Sequence, residues 1–339
     1  MLRNVVSLVL PLALHFTSSL GSPCAPPSLP LPASTVFQFE LGSWIENLAV
    51  RASGDLLVSL ISPTPSIVEI SGVNGANATA TLVNTFDSVT GLLGIIETAP
   101  DIFAVVGGNF TESGAGIPGT FSAFSIDFNA AAPEFSNIAE FPEASFLNGL
   151  EVSKDKNFLL AGDAALGKVW RVSLTTGEVD VALELPEMLP PANSVPFIGI
   201  NGIFVKDGFF YWALSPDATI FRIKVTPEGL AEDGASVELY AKIEAALIDD
   251  FEIGKNGIAW AVTNLDNKLF AIRPDGTSQL VLGGDNDTTI AGGTAARFGR
   301  TSADDKILYV STSGALGHPV NGTFVEGAKV VRVNTKGFA

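Results

Sequence analysis

The sequence predicts an all-β fold, a single six-bladed β-propeller closed by an N-terminal strand. Three observations carry that prediction. A strand-like phrase with a polar or kinked head recurs six times, at intervals of roughly 45–55 residues. Two further strand-like runs follow each copy in the same order. Finally, the last copy runs out of chain before a fourth strand, while one strand precedes the first copy and has no unit of its own.

The head phrases are Glu46-Asn47-Leu48, a weaker copy at Leu93, Asn148-Gly149-Leu150, Asn201-Gly202-Ile203, Asp249-Asp250-Phe251, and a second weaker copy at Thr294. In four of them apolar residues stand two and four places after the head: Leu48 and Val50, Leu150 and Val152, Ile203 and Val205, Phe251 and Ile253. An isolated Asn-Gly is ordinarily a hairpin turn. Two copies at the head of the same apolar run call for a repeat instead. The second runs are 56–60, 102–106, 157–161, 209–213, 258–262 and 307–311. The third are 67–70, 121–126, 169–172, 220–223, 269–272 and 330–333, several alternating apolar and polar as half-exposed strands do. Outer strands are expected over 80–86, 179–185 and 236–243, and Gly-bearing turns separate the runs. Six such four-stranded units make a six-bladed propeller. The strand 35–39 is expected to complete the last blade, so that the ring has no free edge.

Composition sets the class. The 339 residues are 47% hydrophobic, enough for one large core, and 34 Gly with 20 Pro leave no room for a long helix. A net charge of −17 argues against a nucleic-acid reader, which needs a basic surface. Residues 1–21 read as a secretory signal: Arg3, an apolar Val5–Leu14 stretch too short to span a bilayer, and a small-residue site at Ser19-Leu20-Gly21. A Pro-rich, flexible lead-in follows over 22–34, and the propeller is assigned 35–339. Asn77, Asn109, Asn286 and Asn321 stand in Asn-X-Thr acceptors, which fits a glycosylated product of the secretory pathway or a secreted protein. Cys24 is the single cysteine, so no internal disulfide forms and packing must supply the stability.

In a propeller the innermost strands line a channel, and their heads face its axis at one mouth. The six heads are Glu46, Leu93, Asn148, Asn201, Asp249 and Thr294. Four offer the oxygen donors that hard cations prefer. On this reading each Asn-Gly presents an amide oxygen on the axis and the Gly permits a close turn behind it. The competing reading is that these groups only hydrogen-bond neighbouring blades. Once the leader is set aside, His318 is the only histidine, which rules out a two-His metal site, and no G-X-S-X-G stands near a strand-to-helix turn. His318 is expected in a loop of the last blade, on the plain surface or at the mouth. Trp44, Phe110, Phe146, Phe197 and Phe298 fall where loops should roof the channel. Trp44, Phe197, Phe298 and His318 are the candidate substrate-binding residues, against ordinary packing between blades.

The head pattern resembles that of the SMP-30/gluconolactonase-like propellers. The resemblance implies that Glu46, Asn148, Asn201 and Asp249 meet at a divalent metal, with calcium the candidate cation. Two departures stand out: Asp249 is followed by Asp250 where the family carries Asp-Gly, and Glu46 by Asn47-Leu48 where it carries Gly-Pro. The phrases "WIENLAVRASGDLLVS" (44–59) and "FGRTSADDKILYVSTSG" (298–314) look like the secreted fungal branch of this family, which includes natural-product hetero-Diels–Alderases. That likeness implies a secondary-metabolite enzyme joining a quinone methide to a terpene alkene in the propeller mouth. No cofactor is required for such a cycloaddition, and Asn148, Asn201 and Asp249 are the candidate catalytic residues. It would work by holding two partners in a dry cavity. The alternatives are a secreted calcium-dependent lactonase or esterase using metal-bound water and an Asp base, and a ligand-binding propeller without catalysis. We expect a monomer acting on small molecules, polyketide-like, terpene-like or lactone, with neither nucleic acid nor a transmembrane segment involved.

Overall fold

How deep a strand lies in its blade explains its sequence. Strands near the axis have other blades packed on both faces and read as continuous apolar runs, such as Ala259–Thr263, AWAVT, buried throughout. Outermost strands keep one face in water and alternate, as Thr79–Thr85 does. The computed structural model of the chain describes Met1 and residues 28–338. The expected signal segment beyond Met1, Cys24 and positions 22–27 of the lead-in lie outside the described residues.

Among the described residues twenty-four strands, numbered β1 to β24 in chain order, form six antiparallel four-stranded sheets. Blades one to five occupy 44–85, 91–141, 147–184, 200–242 and 248–283, each built from consecutive strands. The innermost strands of blades one to six are β2 (Trp44–Val50), β6 (Gly91–Ala99), β10 (Leu147–Val152), β14 (Ile200–Lys206), β18 (Ile248–Ile253) and β22 (Gly293–Phe298). Blade six contains β22, β23 (Ile307–Thr312) and β24 (Lys329–Asn334), and β1 (Ala33–Gln38) adds its fourth strand. Only two single-turn 3-10 helices, Pro186–Met188 and Ser215–Asp217, interrupt the β-structure of the described residues. The expected six-bladed ring with N-terminal closure is the observed fold.

Closure runs antiparallel from Ala33 opposite Val333 to Gln38 opposite Lys329, with a bulge between Thr35 and Phe37. It begins two residues earlier than the expected 35–39, and Leu31, within the expected lead-in, is packed while 28–30 are exposed. Leu31, 2% exposed, buries its side chain with Trp260 and Val281, and its N–H donates to the Val281 carbonyl at 2.8 Å. Pro32, which has no N–H, serves as acceptor to Asn334 at 2.8 Å. An apolar residue next to a greasy groove was hidden by the proline-rich composition around it.

The core is not one central mass. Six apolar clusters fill the six blade–blade interfaces, each drawing residues from two neighbouring blades. The sixth-to-first interface, for example, packs Tyr309 and Val330 against Ile45 and Leu48. Hydroxyls staple neighbouring blades together by donating to backbone carbonyls of the innermost strands. Ser59 Oγ donates to Leu93 O at 2.5 Å, Ser215 Oγ to Ile248 O at 2.6 Å, and Thr294 Oγ1 to Ile45 O at 2.9 Å.

Every innermost strand also slips register at its head. The irregularities fall between Ile45 and Asn47, Leu92 and Ile95, Leu147 and Leu150, Ile200 and Ile203, Ile248 and Phe251, and Gly293 and Ala295. Such a bulge turns the side chain before it out of the sheet alternation. This corrects the expected role of the glycines. Gly149 and Gly202 sit in strands, not turns, and neither has a positive φ. They are required because the next blade's strand comes close. A Cβ on Gly149 would lie 2.4 Å from Asn201 O, and one on Gly202 2.7 Å from the Asp250 Cα.

Candidate active site

The bulged heads place two acid–amide pairs at one mouth of the channel, here called the head mouth. Asn148 Nδ2 donates to Glu46 Oε1 at 3.3 Å, and Asn201 Nδ2 to Asp249 Oδ1 at 2.9 Å. The second oxygen of each carboxylate is also met: Trp44 Nε1 donates to Glu46 Oε2 at 2.7 Å, and Asn264 Nδ2 to Asp249 Oδ2 at 2.9 Å. Glu46 and Asp249 are 7% and 8% exposed. Burial pushes Glu46 up to about 7, with the Trp44 and Asn148 hydrogen bonds pulling the other way and the Asp250 charge adding to the rise. Asp249 is raised well above the ordinary carboxylate range, first by burial and then by the Glu46 charge. Leu93 and Thr294 complete the ring of heads but bring no free polar group: Leu93 is core and Thr294 spends its hydroxyl on Ile45 and Ser311.

Below the heads lies a charged layer that the sequence reading did not single out. Arg297 Nη2 stands 3.1 Å from Asp250 Oδ2, and the same oxygen accepts from Asn47 Nδ2 at 3.1 Å. Burial opposes the Arg297 charge, but Asp250, Glu252 and Glu151 offset this and hold its pKa above the ordinary value. Burial also raises Glu151 and Glu252 to about 7; hydrogen bonding at Glu151 and the Arg297 charge at Glu252 oppose the rise most. One signal could have found this layer. Glu151, Glu252 and Arg297 each stand three residues after a head residue, so one register step along β10, β18 and β22 returns to the axis.

The remaining candidates divide between the two ends. Trp44 is at the head mouth, where a Cβ on Gly317, in the loop before His318, would lie 3.0 Å from its ring. His318 itself is exposed on that loop. Phe197 is 62% exposed on the long connection from blade three to blade four, also on the head face. Phe110 and Phe146 pack edge to face with centroids 5.4 Å apart and belong to the wall between blades two and three. Phe298 is a correction. It ends β22, four residues beyond Thr294, and so lies at the opposite, tail end of the channel. There it packs edge-on to Trp260 and lines a cavity of about 660 Å³. Of the glycosylation candidates, Asn77, Asn286 and Asn321 are exposed and Asn109 is half-buried.

The head-face loops carry exposed apolar side chains. Leu41, Ile117, Leu189, Val195, Phe197 and Phe324 are large exposed hydrophobics, and all six lie on connections at the head end of the blades. The remaining exposed ones beyond the leader and lead-in, Leu82, Phe135, Val181, Leu239 and Leu280, ride one each on the outer strands of blades one to five.

The donor set of the head mouth has the chemistry of a hard-cation site, and Glu46, Asn148, Asn201 and Asp249 are the residues that would hold such an ion. All four oxygens of Glu46 and Asp249 already accept an N–H, and both amide NH₂ groups point at carboxylates. Among the described residues no three acidic, His or Cys side chains gather where they could share an ion. Each carboxylate oxygen keeps a lone pair beside its one N–H, and the amide oxygens of Asn148 and Asn201 accept no hydrogen bond among the described residues. The network thus leaves the expected calcium ligands able to turn to an ion.

Fold and site together define a six-bladed propeller with a polar floor under an apolar rim. No family model matches the chain. A protein of Phoma sp named "Putative hetero-Diels-Alderase" is 31% identical over 310 residues, covering 84% of this chain and 87% of its own. Another of that name from Sarocladium schorii is 30% identical over 325 residues, covering 86% and 80%. The chain belongs to the family of these two proteins. Among solved structures, a luciferin-regenerating enzyme superposes with a TM-score of 0.63 at 12% identity, over 91% of this chain and 96% of that one. The calcium-binding protein regucalcin of Agrobacterium tumefaciens does so at 0.59 and 13%, over 90% and 94%. At such identities these structures share the fold, and the resemblance to SMP-30/gluconolactonase-like propellers holds at that level.

Proposed function

We propose that the protein catalyses a hetero-Diels–Alder cycloaddition at the head mouth, between an oxygen-bearing heterodiene of the quinone-methide type and the C=C bond of a terpene-like alkene. The observation that carries this reading is the segregation of the head face, with exposed apolar side chains on the loops and a small, buried, hydrogen-bonding floor. The names of the two relatives support it. In the reaction the O=C–C=C unit and the alkene exchange three π bonds for two σ bonds, one C–O and one C–C, and one new π bond. No proton, electron or leaving group is transferred, so the protein's work is positioning and polarisation.

The apolar loops, with Phe197 and Trp44, shelter the alkene from water. The floor holds the oxygen end of the heterodiene. Asn148 and Asn201 each use one amide N–H on a carboxylate and keep a second to donate to that oxygen. Glu46, with its pKa pushed up to about 7, is partly a neutral acid near neutrality and can donate as well. Asn201→Ala should lower the rate or the product selectivity by about 10–100-fold without abolishing turnover, since one donor among several is lost. Purified protein would be given a quinone-methide precursor and a cyclic terpene alkene, and separately a lactone panel with and without calcium. Acceleration or stereochemical steering of the cycloaddition, insensitive to EDTA, is the expected result. Calcium-dependent lactone opening with no effect on the cycloaddition would replace this reading by the hydrolase.

We also propose that the protein passes through the secretory pathway as a glycoprotein monomer. The leader-like residues 1–21 and the four acceptors support this. A mobility shift on enzymatic deglycosylation, lost when Asn77, Asn286 and Asn321 are replaced by Gln, is expected. An unglycosylated product from a secreting host would contradict it.

A further inference from the structure

The tail end of the channel opens into the cavity of about 660 Å³, bounded by residues of blades four, five and six and by the chain after β24. Its walls are aromatic. The Trp260 ring lies 6.0 Å from Phe298 and 5.3 Å from Phe338, centroid to centroid. Its lining also carries four cations, Lys206, Lys255, Arg300 and Lys306, against two acids, Glu252 and Asp305. In a chain of net charge −17 this is a local reversal of sign. Three of the cations have structural duties. Lys206 Nζ donates to Gly254 O at 2.5 Å, Arg300 pairs with Glu97 at 2.5 Å, and Lys306 stands 3.5 Å from Asp305. Lys255 is exposed and forms no ion pair among the described residues. One further donor is unspent: the indole N–H of Trp260, a residue 1% exposed in the cavity wall, has no acceptor among the described residues.

We propose that this tail cavity is a second ligand site, separate from the head mouth, that takes a small organic anion with a flat aromatic body. Phe298 and Phe338, backed by the buried Trp260, supply a surface against which such a body packs. Lys255 at the entrance supplies charge for a carboxylate, and Lys306 adds to it by leaving its exposed 3.5 Å contact with Asp305. The volume lies within the range of small-molecule pockets, about 300–1,000 Å³. An inorganic anion would leave the aromatic walls unused, and a neutral apolar molecule would leave the cations unanswered.

The test is calorimetric titration of the full-length protein with 1-naphthoate, 1-naphthalenemethanol and inorganic phosphate. Naphthoate should bind saturably, at least about tenfold more tightly than either comparison compound. The double variant Lys255→Glu/Lys306→Glu should weaken naphthoate binding about tenfold or more, because two attractive charges become repulsive. Lys242→Glu, an exposed position on the outer edge of blade four, should leave it unchanged. Both substituted lysines are exposed, so unchanged melting curves are expected and separate lost binding from lost folding. Equal affinity for the alcohol, retained affinity in the double variant, or no saturable binding would each overturn the proposal. So would loss of naphthoate binding in Asn201→Ala, which would put the anion in the head mouth instead.

Discussion

A methyl group added at Gly149 would be driven into the backbone of the next blade, 2.4 Å from Asn201 O, where nothing flexible can yield. Gly149→Ala should therefore cost about 2–4 kcal/mol or prevent folding, as overpacking against backbone does. Gly284→Ala, with nothing within 4 Å and no positive φ, should melt within about a degree of the parent. Thermal denaturation of the pair checks both. Trp44→Phe isolates a different contact. The indole N–H favours the ionised form of Glu46, so its removal should move the Glu46 titration above 7, read by carboxyl NMR on labelled protein. An unmoved or lowered value would contradict the assignment. The head quartet was legible because a repeated phrase marks equivalent positions and places them at one mouth. What those residues do to each other was not legible. Hydrogen bonds between Asn148 and Glu46, or Asn201 and Asp249, depend on bulges that no single phrase announces.

At the scale of the strand, β1 is the element on which the ring depends. Removing residues 28–38 exposes the edge of β24 and withdraws Leu31 and the Asn334 acceptor at Pro32. The expected outcome is a fall in melting temperature of at least about 10 °C in one cooperative transition, since several kcal/mol of packing leave with it. Melting like the full chain would show that closure matters little. Strand order and blade count could be read from the sequence because each strand's depth in the blade dictates its pattern. Direction along a strand was harder to use. Phe298 was assigned to the mouth of its own head residue, yet a strand of this length carries its last residue to the far end. The tail cavity was missed for a related reason: Lys206, Lys255 and Lys306 come from separate blades and meet only when blades four to six pack side by side.

Over the whole molecule, buried acidity makes stability depend on pH. Glu46, Glu151 and Glu252 have folded pKa values of about 7 against ordinary values of 4.5. The fold thus favours their protonated forms. Below pH 4.5 both folded and unfolded chains hold these protons. Between 4.5 and 7 the unfolded chain releases them first, so stability falls as pH rises, and above 7 the loss is complete. The melting temperature should be higher at pH 5 than at pH 8, by on the order of 5 °C. Glu151→Gln/Glu252→Gln should shrink that difference, and an unchanged or reversed difference would refute the assignment. The pairing of Ala33 with Val333 carries a consequence of another kind, in time rather than energy. At synthesis rates of about 5–20 residues per second, β1 leaves the ribosome roughly 15–60 s before β24 exists to receive it. For that interval blade six cannot be assembled, and an unpaired strand must be kept from pairing elsewhere. Closure of the ring therefore cannot precede the arrival of its last strand.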